Sequence, residues 1–232
     1  MTPADLLRRE LSRNGARPLL TWYDDDPAAN ARVELSVATT ANWVAKIAGF
    51  LTEEHDVEPG AVVTVDLPLH WQTACVLLAV WSCGGAVTLD SDADLTVGTS
   101  ADADVVVVVD PMGMGLSRLV AAQPDEFLPV VPVDAEACAL RSGARTWTHA
   151  ELGDAATHAA VHHDISDASR VLSTMTFDTV DGIDSGLLAP LAAGASTVLV
   201  RNADPMRLPQ RCATENVTHT AGVTVLDVTR LD

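Results

Sequence analysis

Residues 141–151 read RSGARTWTHAE and place two guanidinium groups, Arg141 and Arg145, around the small residues Ser142 and Gly143. Guanidinium binds phosphate well because its planar fork offers paired donors. Solvated loop arginines are the better reading of this pair, since an exposed charge in water holds a counter-charge weakly. His158 and His162 lie one helical turn apart with Asp164 nearby, a spacing that suits two metal ligands. No flanking Glu and no clear third ligand accompany them, so no metal centre is expected. The run MGMG at 112–115 has the glycines of a dinucleotide loop but lacks the third glycine and a downstream acid for a ribose, and reads as a strand-to-helix turn. No Gly-x-Ser-x-Gly elbow offers a nucleophile.

The groups that must position such residues are read from the totals and the pattern. The chain has 232 residues, enough for one large α/β domain or two small ones, and 48% of them are hydrophobic. With 32 acidic against 14 basic residues the net charge is -18, which repels phosphodiester backbones and anionic headgroups. Nucleic acid and membrane surfaces are therefore not expected partners, and the abundant acids read as solubilising surface. Only one lysine, Lys46, is present; every other basic residue is Arg. The four cysteines read as reduced core residues of a cytosolic protein, the N-terminus has no apolar signal core, and no stretch is long enough for a membrane span. A cytoplasmic location follows as an expectation.

A helix over the first residues precedes strands at 19–23 and 32–35, separated by the acidic turn at 24–27. Ser36 caps a helix running to about Glu54, and 61–67 is a β-branched strand. The segment 69–83 is apolar nearly all round, as a helix buried on several sides should be, and stops at Gly84 and Gly85 before a strand at 86–90. Five valines at 105–109 predict a central strand covered on both faces. THAE at 148–151 has the capping-box form. Strands at 170–174, 196–200 and 222–228 alternate with helices at 186–193 and 206–213. This alternation predicts an α/β fold of mostly parallel sheet flanked by helices. One domain over 1–232 is expected, with sublobes at about 1–140 and 141–232.

Two stretches carry a family resemblance. LLAVWSCGGAVTLDSDAD at 77–94 and SRVLSTMTFDTVDGIDSGLLAPLAAGASTVLV at 169–200 resemble the N-terminal part of the adenylate-forming (AMP-binding) superfamily of acyl-CoA synthetases, luciferases and peptide-synthetase adenylation domains. ELSVATTANWVAKIAGFL at 34–51 stands where that family has its first long helix, and ENVTHTAGV at 215–223 is similar to a later strand. The resemblance implies the fold of that family's N-terminal subdomains.

The family's chemistry needs a Gly- and Thr-rich phosphate loop ending Pro-Lys-Gly, a Tyr-Gly-x-Thr-Glu motif and a lysine from a small C-terminal domain. Counting back from Thr148 and His149 without a gap puts the loop lysine on Gly143 and the Gly and Thr positions on 135–141, and none matches. With a gap, Ser142 and Gly143 begin the loop and the rest is deleted. Lys46 lies far from either lysine position, Tyr23 is the one tyrosine, and the chain reaches Asp232 about where the sequence leading to the later motif would begin, so no C-terminal lid domain is expected. The family's turn histidine falls on Thr179, with Gly182 retained and Asp178 and Asp181 adding negative charge.

The resemblance thus implies a vestigial cleft gathered from Ser142, Gly143, Arg145, Thr146, Thr148, Asp178, Thr179 and Gly182, with no catalytic residue and no metal. No cofactor is expected, and an adenylate or acyl group is the ligand the cleft would take. The expected function is binding, of that small acyl or nucleotide ligand or of a partner protein, with adenylation lost. Two alternatives stand beside it: one part of a split acyl- or amino-acid-activating synthetase whose partner chain supplies the missing motifs, and a structural homodimer or scaffold.

Overall fold

The computed structural model describes residues 1–231. The chain opens with α1 (Pro3–Asn14), β1 (Pro18–Asp24), β2 (Ala31–Ser36), α2 (Val37–His55) and β3 (Val62–Asp66). Next come α3 (Trp71–Ser82), β4 (Ala86–Thr88), β5 (Leu95–Gly98), β6 (Val105–Val106) and α4 (Met114–Leu119). A hairpin of β7 (Cys138–Ser142) and β8 (Arg145–Thr148) leads into α5 (His149–His162) and β9 (Arg170–Ser173). Then α6 (Val180–Ile183) runs through a π-helical turn, Asp184–Leu188, into α7 (Ala189–Ala193). β10 (Ser196–Arg201), α8 (Leu208–Glu215), β11 (His219–Ala221) and β12 (Thr229–Arg230) complete it.

The strands form two six-stranded sheets, ordered β12-β11-β9-β10-β1-β2 and β6-β5-β3-β4-β7-β8. Only the terminal pairs β1–β2 and β7–β8 are antiparallel, so both sheets are mostly parallel and flanked by helices, as the alternation predicts. The first sheet draws on residues 18–36 and 170–230, and the second on 62–148. Residue 140 lies inside β7, and the chain leaves the first sheet, builds the second and returns.

One apolar cluster spans the sheets, joining Leu20, Trp22 and Leu199 of the first to Val63, Val87 and Leu140 of the second. At its centre α3 is buried from Trp71 to Trp81. Its ends are tied by indole donors, Trp71 Nε1 to the Pro111 carbonyl at 3.1 Å and Trp81 Nε1 to the Ala139 carbonyl at 2.9 Å. Trp22 of β1 crosses between the sheets, donating to the Leu69 carbonyl at 2.9 Å and packing its ring 4.1 Å from the His70 imidazole. All four cysteines are free, and Cys75, Cys83 and Cys212 are buried. Among the described residues no helix is long and apolar enough to cross a membrane.

Three expectations change. The five valines do not form a central strand: only Val105 and Val106 are in β6, an edge strand paired with β5, and burial alternates along the run, with Val105 and Val107 inside and Val106 and Val108 exposed. A run of one residue type hides that alternation. Residues 222–228 form turns, and the strand at this place is β11, three residues earlier than the apolar stretch suggests. The acids are not all surface, since Asp24, Asp25, Glu10 and Glu215 are buried. Asp25 accepts a bidentate pair from Arg211 at 2.6 and 2.8 Å, and Glu10 pairs with Arg17 at 2.9 Å, so each buried charge is matched.

Because Trp22 joins the two sheets, Trp22→Ala should cost about 3–5 kcal/mol in equilibrium urea unfolding. Trp22→Phe keeps most of the apolar volume but strands the Leu69 carbonyl, and should cost about 1–3 kcal/mol.

Candidate functional site

The carboxyl ends of parallel strands are where α/β sheets bind ligands. Here those ends face one cleft of about 680 Å³. Its walls are the chain leaving β3 (Val65 to Pro68), the valines following β6, and, from the first sheet, Thr176 and Asp178 beyond β9 and Arg201 at the end of β10. Val106 and Val108 present exposed isopropyl groups to it. Arg201 is half-exposed, with its nearest acid, Asp24, at 3.9 Å.

Of the residues predicted for the site, Asp178, Thr179 and Gly182 sit together at the start of α6. Thr179 accepts from the Gly182 amide at 3.1 Å as the helix cap. A Cβ on Gly182 would stand 1.9 Å from the Thr176 carbonyl oxygen, so packing alone requires glycine there. Asp178 is exposed and accepts from the Thr176 hydroxyl, and it lines the cleft.

The others belong to the hairpin. β7 and β8 pair up to Ser142 and Arg145, which leaves Gly143 and Ala144 as a two-residue turn, with Gly143 at φ 57°. The Gly143 amide is taken by the Asp90 carboxylate, at 3.0 and 3.2 Å to its two oxygens. Arg145 lies over the Trp147 ring, 4.3 Å from its centroid. The neighbouring Thr146 is exposed. Thr148 closes the predicted capping box, its hydroxyl accepting from the Glu151 amide at 3.1 Å and its amide donating to Glu151 at 2.9 Å. None of these hairpin residues lines the cleft. With β4 between β3 and β7, the turn stands two strand spacings, roughly 10 Å, along the same rim.

Sequence reasoning passed over Arg201, Thr99 and the walls after β3 and β6. Their signal was positional: each lies at or just beyond the carboxyl end of a parallel strand. Lys46 is held elsewhere, donating to the Gln123 carbonyl at 2.7 Å and pairing with Asp125 at 3.0 Å. His158 and His162 are exposed on α5, and among the described residues no group of three candidate ligands could hold a metal.

Two titratable groups are strongly perturbed. Burial, and secondarily Arg201, lowers His70 to about 3, and its Nε2 has no hydrogen-bond partner. Burial, and then the Asp181 charge, raises Asp184 to about 6 within the π-helical turn.

The signs are opposite. His70 stays neutral in the folded chain while the unfolded ring, with an ordinary value of 6.5, takes a proton. Its contribution is complete above 6.5 and is lost as pH falls towards 3. Asp184 is favourable below its unfolded value of 3.8, and that contribution is lost as pH rises through about 6. In urea unfolding the wild type should lose up to about 2 kcal/mol between pH 7 and pH 5, and His70→Asn, less stable at both because it gives up the ring's packing on Trp22, should lose that pH dependence. Asp184→Asn should stabilise by about 1–2 kcal/mol at pH 7, after solvent screening.

No protein-family model matches the chain. A TIGR03089 family protein of Mycobacterium tuberculosis (strain ATCC 25618 / H37Rv) is 38% identical over 222 residues, spanning 87% of this chain and 90% of that protein. Among solved structures, the anthranilate CoA ligase AuaEII in complex with anthranoyl-AMP superposes with a TM-score of 0.77 at 14% identity, over 96% of this chain and 48% of that one. The N-terminal domain of FACL13 from Mycobacterium tuberculosis gives 0.76 at 13% identity, over 96% and 62%. The long-chain-fatty-acid-CoA ligase FadD1 from Archaeoglobus fulgidus gives 0.77 at 16% identity, over 95% and 51%. The chain therefore has the fold of the N-terminal part of these ligases and spans about half to three fifths of their length.

Proposed function

The chain belongs to the TIGR03089 family, and from that premise and its ligase-like fold we propose that it binds a small acyl or adenylate-like ligand in the cleft without adenylating it. The observation that carries this reading is the β7–β8 turn. A phosphate loop works by presenting several free backbone amides to phosphate oxygens. Here the connection has two residues, and the Gly143 amide is bonded to Asp90. A triphosphate approaching it would meet a carboxylate where it needs a donor. Asp66 and Asp178 on the cleft wall add negative charge, and Lys46 is committed on α2 to Gln123 and Asp125.

The cleft keeps what binding needs. Its apolar side is the pair Val106 and Val108, and its polar side is Arg201 with the hydroxyls of Thr99 and Thr176. An uncharged acyl group fits the first, and the oxygens of a phosphate monoester or a carbonyl fit the second.

In ATP–pyrophosphate exchange with a panel of carboxylic acids the pure chain should stay at background, and robust exchange would refute the loss of adenylation. Calorimetry with an acyl-sulfamoyl adenosine, which mimics an acyl adenylate, tests the binding half separately. Saturable heat is expected for the wild type and its loss in Val108→Arg; a wild type without heat contradicts the reading.

A further inference from the structure

A second cavity, of about 330 Å³, lies between α1, α2 and the chain that follows α4, and it shares no lining residue with the cleft. Its walls are mainly apolar, with Leu7 from α1, Ala41, Val44 and Ala45 from α2, and Phe127 and Val133 from the covering segment, beside the polar Asn42 and Ser82. The volume falls at the lower end of small-molecule pockets.

The cover is unusual. Residues 121–137 contain no helix or strand. Irregular stretches of that length inside a compact fold commonly serve a binding function. Lys46 anchors the start of the segment through the Gln123 carbonyl and Asp125. From 126 to 133, among the described residues, no hydrogen bond ties the chain to the body. Phe127 packs inward against the core, while Leu128 is 85% and Val130 97% exposed. The cover is thus held by apolar contact alone, and such a segment can lift at little cost in hydrogen bonds.

Charge at the mouth selects the occupant. Arg8 pairs with Asp5, and Asp125 with Lys46, which leaves Glu126 as the unmatched charge beside the opening. With a net charge of -18 behind it, an anionic amphiphile is disfavoured. We infer that this cavity is a second binding site, for a small neutral or cationic molecule with an aromatic or short aliphatic body, covered by residues 126–133.

Two fluorescent probes with the same ring system separate shape from charge. N-phenyl-1-naphthylamine is neutral, and 8-anilino-1-naphthalenesulfonate carries a sulfonate. The neutral probe should saturate at one per chain, and the sulfonate should bind about tenfold or more weakly at low salt. Ala41→Phe, which fills the cavity from a half-buried position, should weaken the neutral probe about tenfold. Glu126→Lys, at an exposed position, should leave the neutral probe unchanged and strengthen the sulfonate. Val108→Arg in the cleft should alter neither, so failure of this site and failure of the cleft reading are distinguishable. Equal affinity for the two probes, indifference to Ala41→Phe, or loss in Val108→Arg would overturn the inference. So would a dimer, seen by light scattering, that dissociates as the neutral probe is added, because the occupant would then be a second copy of the chain.

Discussion

Everything else in this structure depends on the burial of α3 on every side. A helix that is apolar all round needs partners all round, and here they come from α1, α2 and both sheets. Burying it costs three indole N–H groups their water, and each recovers a bond to a backbone carbonyl: Trp22 to Leu69, Trp71 to Pro111, Trp81 to Ala139. Those carbonyls precede α3, precede α4 and lie on β7. The same groups that fill the core therefore fix where the two sheets and the segment after β6 stand relative to one another. A cleft between the carboxyl ends of the sheets follows from that arrangement, because the chain leading from β3 into α3 forms its wall as far as Pro68.

The hairpin stands on the same rim as the cleft, two strand spacings away. The capping box at Thr148 and Glu151 and the helix α5 behind it form as in any well-capped helix, and the strand before it pairs with β7 through a register shift between Cys138 and Leu140. What differs is the turn, where the backbone is tight and its glycine amide faces Asp90. A carboxylate bonded to an amide occupies the donor that the amide would otherwise offer to an anionic ligand. The electrostatic consequence is local, and it leaves the apolar wall of Val106 and Val108 and the Arg201 side untouched.

The sequence made much of this legible and concealed specific parts. Caps were readable because they are local: Ser36 and Thr148 start their helices where the hydroxyl side chain sits before an apolar run. The all-apolar α3 and the parallel alternation were readable because burial on both faces leaves a compositional mark. The edge position of β6 was not, because five valines erase the alternation that marks an exposed face. The buried acids were hidden for a different reason. Asp25 and Glu215 are matched by arginines far away in the chain, Asp25 by Arg211 and Glu215 by Arg170 and Arg32, and no local pattern reports a long-range pair. At the hairpin, the absence of a Gly- and Thr-rich run could be read from residue types, whereas the contact that occupies Gly143 comes from Asp90, 53 positions earlier.

The most direct measurement of the central claim is the Gly143 amide resonance in the full chain during titration with magnesium ATP. If the two-residue turn and Asp90 have closed the phosphate position, that resonance and those of Ser142 and Ala144 should not move up to millimolar nucleotide. Saturable shifts at Gly143, with Asp90 giving up its hydrogen bond, would contradict the account.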